Sequence, residues 1–185
     1  QLEVAERSAD WVARTFETIA TSPLITIAAA HGATYAGGAG LLACCDFAIA
    51  SDDLRICFPE VRRGLVPALV TAVLRNRVRE GELRELFLIG EPISATAART
   101  MGIIHRIVPE DRLLEEACAL ATRILQGAPD AVRQTKRILR ALSPNDLPQM
   151  LARSLDFHKQ ARQSEEAREG LAAFRELRLP TWPVS

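Results

Sequence analysis

The stretch HGATYAGGAGLLACCD (31–46), followed by FPEVRRGLVPALV (58–70), decides how this chain folds. The first reads as a strand running into a glycine-rich turn and then an apolar helix. Gly37, Gly38 and Gly40 lead into Leu41, Leu42, Cys44 and Cys45 without a polar break, which predicts a helix buried on most sides. A glycine pair between a strand and a helix lets backbone N–H groups approach a ligand. With a helix N-terminus behind them, such a site favours a phosphate or an oxyanion. The spacing is not the G-x-G-x-x-G of a dinucleotide site, and no Gly-Lys-Ser/Thr marks a phosphate loop. Glycines so spaced also suit a tight turn and close helix packing, and spacing alone leaves both readings open.

Upstream, Leu2, Ala5, Ala9, Val12, Phe16 and Ile19 recur at three- and four-residue steps, which predicts an amphipathic helix over 2–21. Ser22-Pro23 ends it. LITIAAAHG (24–32) predicts a buried strand. Downstream, FAIAS (47–51) and LRICF (54–58) read as two more short strands, and 61–70 as a loop. Residues 69–89 read as two short helices broken at Gly81. Ser94 caps a helix that Gly102 closes. IIHRIV (103–108) reads as a strand. Beyond Pro109 the chain is helical: 111–127, a helix opened by Pro129, another over 146–166, then EEAREGLAAFREL, with Pro180 and Pro183 at the end. No period of 20–50 residues shows in the sequence.

The chain has 185 residues, 48% hydrophobic and 25% charged, which suits one domain with a sizeable core. Lys plus Arg and Asp plus Glu are 23 each, so no net positive charge favours nucleic acid. No apolar run approaches the roughly 20 residues of a membrane span. The start, QLEVAERSADW, is charged and unlike a signal peptide, and its lack of an initiating Met reads as a processed or cut piece. Cys44, Cys45, Cys57 and Cys118 lack metal or disulfide spacing and read as buried free thiols of a reducing, cytoplasmic compartment. His31, His105 and His158 show no ligand spacing, so no metal is expected.

Glu60 is the candidate acid–base group. It follows the apolar run Ile56-Cys57-Phe58 and Pro59, and a carboxylate at the mouth of an apolar strand can titrate high. A surface glutamate fits the same sequence. Arg62 and Arg63 stand close enough to pair with it or to hold a substrate carboxylate. Lys136, Arg137 and Arg178 are surface charges that could also reach phosphates. Trp11, Trp182 and Tyr35 read as packing residues, with Tyr35 near enough to the glycine turn to border a site.

Taken in order, SPLITIAAAHGATYAGGAGLLACCDFAIAS, FPEVRRGLVPA, GEPISATAARTMGIIHRIVPEDRL and the tail EAREGLAAFRELRLPTW resemble the crotonase (enoyl-CoA hydratase/isomerase) family over nearly the whole chain. The resemblance implies an α/β fold of stacked ββα units. A partial core over 1–108 would precede a helical oligomerisation region over 109–185, giving a homotrimer or hexamer. It implies an acyl-CoA thioester substrate, with coenzyme A as part of that substrate, no tightly bound cofactor, and neither nucleic acid nor membrane as partner. The backbone N–H of Gly37 matches one of two oxyanion donors that hold the thioester carbonyl and its enolate; one such donor is worth about 3 kcal/mol of barrier. Glu60 matches the second catalytic glutamate. Ala36, Gly38, Gly40, Pro67 and Ala68 match positions around the acyl group.

Three departures stand out. Ala36 replaces the first glycine of the run. Ala68 falls where a glycine is common. Gly40 stands where two-glutamate hydratases carry their first acid, leaving one carboxylate and room for a branched or longer acyl group. The family's other oxyanion donor and earlier turns lie before this chain's first helix. Hydration or dehydration of an enoyl-CoA, in fatty-acid or branched-chain catabolism, is the expected reaction, and a methylglutaconyl-CoA hydratase-like subgroup is the nearest resemblance. Double-bond isomerisation, decarboxylation and a non-catalytic assembly subunit are the alternatives.

Overall fold

The computed structural model describes residues 2–143 and 146–182, with side chains from residue 7 onward. The Leu2 and Ala5 side chains and Pro183 lie outside that range.

Helix α1 (Leu2–Thr21) buries one stripe: Ala9, Ala13 and Phe16 are sealed, with Val12 and Ile19 packed beside them. Trp11, on the opposite face, is 70% exposed, so it is not the packing residue expected of it. Beyond Pro23 the chain makes two strand–strand–helix turns. The first is β1 (Ile27–Ala30), β2 (Ala33–Tyr35) and α2 (Gly37–Cys44). The second is β3 (Phe47–Ser51), β4 (Arg55–Cys57), a 3₁₀ turn (Pro59–Arg63) and α3 (Ala68–Leu74). Each strand pairs in parallel with its counterpart in the next turn: Ile27 lies opposite Phe47, and Ala33 opposite Arg55. The stacked ββα architecture expected from the sequence is the one adopted. The repeat is structural and leaves no period in the sequence, because each strand offers only three to five residues to match.

Next come α4 (Glu80–Ile89), β5 (Ile93–Ser94), α5 (Ala95–Thr100) and β6 (Arg106–Val108). Strand β6 extends the first sheet to the order β1-β3-β6, and β5 closes the second as β2-β4-β5, antiparallel to β4. Alanines 48 and 50 with Ile49 are fully buried in β3, because small side chains let the two sheets and α2 close together. Phe58 meets Phe87 edge to face, with ring centroids 5.1 Å apart. Ser94 caps α5 as expected, its Oγ accepting from the Ala97 N–H at 3.2 Å.

Four helices complete the chain: α6 (Leu113–Ile124), α7 (Pro129–Ala141), α8 (Leu147–Arg162) and α9 (Glu165–Arg175). Helix α6 lies on β1 and β3, where Leu113, Ala117 and Leu120 enclose Ile49. Helix α8 returns across α3 and α1. Helix α9 seats against the 3₁₀ turn through two glycines. A Cβ on Gly64 would overlap the Glu166 carbonyl, and one on Gly170 would overlap the Arg63 carbonyl. No helix among the described residues is long and apolar enough to cross a membrane.

Several local expectations need correction. Gly81 sits inside the first turn of α4; the break falls at residues 75–79 instead. Strand β1 is half-buried rather than buried. The strand expected over 103–108 forms only from Arg106, because the His105 ring intervenes, its Nδ1 accepting from the Ala48 N–H at 3.0 Å. Cys118 is exposed, whereas Cys44 and Cys57 are buried.

Candidate active site

Strand β2 ends where the Ala36 N–H donates to the Cys57 carbonyl at 2.8 Å. There the chain must reverse into α2, and Ala36 does so at φ 48°, ψ −117°. Such a conformation suits glycine and costs a side-chain-bearing residue on the order of 1–3 kcal/mol. The turn places Gly37 at the first position of α2, where backbone N–H groups have no partner within the helix. A Cβ on Gly37 would meet nothing within 4 Å, so the space beside this amide is open.

Strand β4 delivers the second group. Phe58 is fully buried, Pro59 starts the 3₁₀ turn, and Glu60 follows at its first turn. Gly64 ends the turn at φ 65°, and the Leu65 N–H donates to the Glu60 carbonyl at 3.0 Å. With Gly64 and Gly170 pressing α9 onto this turn, the Glu60 backbone has little room to move. Its Oε2 is buried with no hydrogen-bond partner among the described residues. Burial raises the Glu60 pKa, and its own backbone N–H and the Arg63 charge only partly offset that rise.

Ala36, Gly37, Glu60, Pro67 and Ala68 all line one cavity of about 260 Å³. Most of its remaining wall is apolar, from Val12 and Phe16 of α1, Leu65 and Val66 of the loop, and Leu171 of α9. Gly38 and Gly40 do not line it. Gly38 is exposed and faces Thr34, at 3.9 Å from a Cβ built there. Gly40 is buried against Phe16: a Cβ at that position would overlap the ring tip and come within 2.7 Å of Cε2. The expected room for a larger acyl group at Gly40 is therefore filled by an aromatic ring from α1.

Among the cavity residues that the sequence does not mark as part of a site are Phe16, His158 and Arg162. Phe16 was legible only as part of an amphipathic stripe. His158 and Arg162 look, at their i,i+4 spacing in a charged helix, like a solvated face. Other candidates go elsewhere. Arg62 donates to the Ile89 carbonyl at 2.9 Å and pairs with Glu91 at 2.6 Å. Lys136 is tied to Asp46 and the Leu24 carbonyl, both at 2.7 Å. Arg178 is held by Glu169 and Glu176. Tyr35 is part-exposed and lies outside the cavity wall. No group of three or more His, Cys, Asp or Glu side chains among the described residues is placed to hold a metal. Larger hollows of about 360 and 690 Å³ lie along α6 and α7, but the one carboxylate lining them, Asp46, is the partner of Lys136.

The comparison that decides the family runs almost end to end: the description Enoyl-CoA hydratase/isomerase matches residues 4–184. The chain belongs to the enoyl-CoA hydratase/isomerase family. It is 36% identical to a "Putative enoyl-CoA hydratase" of Thermus thermophilus, over 90% of this chain and 66% of that protein. It is 35% identical to a carnitinyl-CoA dehydratase of Proteus mirabilis, over 84% of this chain and 62% of the other. A crystal structure of an enoyl-CoA hydratase from Mycobacterium avium superposes with a TM-score of 0.90 at 28% identity, covering 98% of this chain and 72% of its own. The chain thus spans just under two thirds of the length of these curated relatives.

Proposed function

We propose that this chain carries the acid–base half of an acyl-CoA site, and that its reaction is hydration or dehydration of an enoyl-CoA thioester. The observation that supports this most is the opening of the Gly37 amide and of Glu60, whose Oε2 has no hydrogen-bond partner among the described residues, onto one largely apolar cavity. The Gly37 N–H donates to the thioester oxygen and stabilises the negative charge that gathers there. Ionised Glu60 removes a proton from water as the water oxygen bonds to Cβ. The double-bond electrons move into the thioester, forming the enolate. Glu60 then delivers that proton to Cα, and the carboxylate is restored. One carboxylate thus makes both transfers, and its high pKa suits it to release the proton as readily as it takes it up. Pro67, Ala68 and Leu65 flank the acyl chain and keep bulk water out. Coenzyme A enters as part of the substrate, with no further cofactor needed for these steps.

A specific observation favours a second reaction at the same site. Residue 40 is glycine with Phe16 packed on it, so no second acid stands there, and a lone carboxylate in a largely apolar wall also suits a proton shift from Cα to Cγ, which isomerises a 3-enoyl to a 2-enoyl thioester. Full-length protein incubated with crotonyl-CoA and, separately, with 3-pentenoyl-CoA separates the two. The first reading expects 3-hydroxybutyryl-CoA from crotonyl-CoA. Conjugation of 3-pentenoyl-CoA without water addition would replace it with the second. The exposed Ile138 and Leu139 of α7, with Leu142 just beyond its end, would be the surface on which the expected homotrimer or hexamer assembles, and 109–185 would serve as the oligomerisation region.

A further inference from the structure

Among the described residues, Glu60 is the one carboxylate on the wall of the site cavity. A water molecule that attacks an acyl carbon there gives one hydrogen to that carboxylate. Held by a single bond, the water turns about it, and its lone pair meets the carbon only part of the time. A second hydrogen bond, donated to the water oxygen, fixes the attacking lone pair on its target.

The other polar side chains on the wall are Ser8, Arg63, His158 and Arg162. Ser8 is exposed on α1. Arg63 stacks its guanidinium 3.9 Å from the centre of the Phe174 ring, and its charge acts on Glu60, where it offsets part of the rise that burial causes. His158 and Arg162 come from α8, four residues apart on one face. The Arg162 Nε donates to His158 Nε2 at 3.1 Å. Arginine has no acceptor, so Nε2 takes this bond on its lone pair, and the one proton of the ring lies on Nδ1. Burial first, and the Arg162 charge second, hold the His158 pKa below its usual value, so the ring is neutral at pH 7. Its Nδ1–H has no acceptor among the described residues. Helix α8 packs across α1 and α3, which carries the ring on a rigid element. The cavity that Glu60 lines thus also holds a neutral donor of fixed tautomer.

We propose that His158 is a further catalytic residue of this site, its Nδ1–H donating to the oxygen of the attacking water while Glu60 accepts one of the water's hydrogens. This rests on the reading of Gly37 and Glu60 as the acid–base half of an enoyl-CoA site. The water oxygen bonds to Cβ, its proton passes to Glu60, and the double-bond electrons move into the thioester. His158 neither gains nor loses a proton, and Arg162 acts through it as a positioning residue. Enolate formation without water, as in exchange of an α-proton, needs the Gly37 amide and Glu60 but has no step for His158.

The test compares two rates on full-length protein: hydration of crotonyl-CoA and α-proton exchange of butyryl-CoA in deuterium oxide. Their ratio is the readout, because a distorted or partly unfolded site slows both together. His158→Leu is expected to lower the ratio of hydration to exchange about a hundredfold. Two polar variants separate donor position from mere polarity. The asparagine amide reaches the position of Nδ1, and the longer glutamine amide reaches that of Nε2. His158→Asn is therefore expected to restore the ratio to within about tenfold of wild type, and His158→Gln to leave it low. A ratio unchanged in His158→Leu overturns the proposal, and so does an asparagine variant no better than the glutamine one. Wild type that exchanges the α-proton without hydrating crotonyl-CoA overturns it while leaving the enolate reading intact. Wild type that does neither, with the thioesters bound, overturns both.

Discussion

Replacing Gly40 with alanine probes the arrangement that most separates this site from a two-carboxylate one. A Cβ there enters the Phe16 ring, overlapping its tip and lying 2.7 Å from Cε2 and 3.1 Å from Cε1. Phe16 is 1% exposed and packed within the main core, so the ring can yield only toward the cavity that it lines. Overpacking of a well-filled core costs about 1–3 kcal/mol, and an overlap with three ring atoms belongs to the upper part of that range, about 2–3 kcal/mol. Alanine in place of glycine within a helix returns about 1 kcal/mol. The net loss is about 1–2 kcal/mol, or roughly 2–8 °C in Tm for a chain of this size. Thermal unfolding of wild type, Gly40→Ala, Phe16→Leu and the double variant forms a cycle. The double variant is expected to be more stable than the sum of the single losses predicts, by about 1 kcal/mol, because leucine vacates the ring tip. A Gly40→Ala protein as stable as wild type, or strictly additive losses, refutes the ring-on-glycine arrangement.

Other outcomes follow from the same geometry. Ala36→Gly relieves a left-handed turn and is expected to raise Tm by roughly 2–4 °C, about 1 kcal/mol after the entropy cost of glycine; a lower Tm would mean the turn is not strained. Glu60 titrates above the ordinary carboxylate range in the folded chain because of burial. A carboxyl raised on folding contributes stability that is present below its unfolded pKa and lost as pH rises through the folded one. Glu60→Gln is therefore expected to be more stable than wild type at pH 7, with the advantage vanishing toward pH 4 in a pH series of denaturant midpoints. The acid limb of turnover should likewise lie above the usual carboxylate pKa. Gly170→Ala, whose Cβ lies 2.8 Å from Arg63 Cα and overlaps its carbonyl, should push α9 off the 3₁₀ turn. Its cost is about 1–3 kcal/mol. Turnover should fall although the substitution touches no cavity residue's side chain, and unchanged turnover would show that α9 does not position Glu60.

The parts of this fold that were legible in sequence are those with a strong local signal. The stripe of α1, the strand–glycine–helix passage at 33–44, the Ser94 cap and the proline-started α7 each depend on nearby residues, and each lies where its signal put it. The break between α3 and α4 was misplaced because Gly81 is tolerated in a helix's first turn, where its N–H needs no partner. The strand before Arg106 was cut short by a contact between His105 and Ala48, which no local window contains. At the site, the segments carrying Gly37 and Glu60 were visible as motifs. What surrounds them was not. Phe16 reaches Gly40 from another helix, and His158 and Arg162 arrive from α8, more than ninety residues after Glu60 in the chain. Amphipathic periodicity says that such residues share a face, but not which cavity that face closes.

The Gly37 amide and the Glu60 carboxyl are expected to act together on an enolate, and this can be read without committing to any product. Butyryl-CoA, which can be neither hydrated nor isomerised, is incubated with full-length protein in deuterium oxide, and loss of the α-proton signal is followed by NMR. Wild type is expected to exchange that proton, while Glu60→Gln binds the thioester yet exchanges it at least a hundredfold more slowly. Equal exchange by the two proteins, or none by wild type with the thioester bound, contradicts the account.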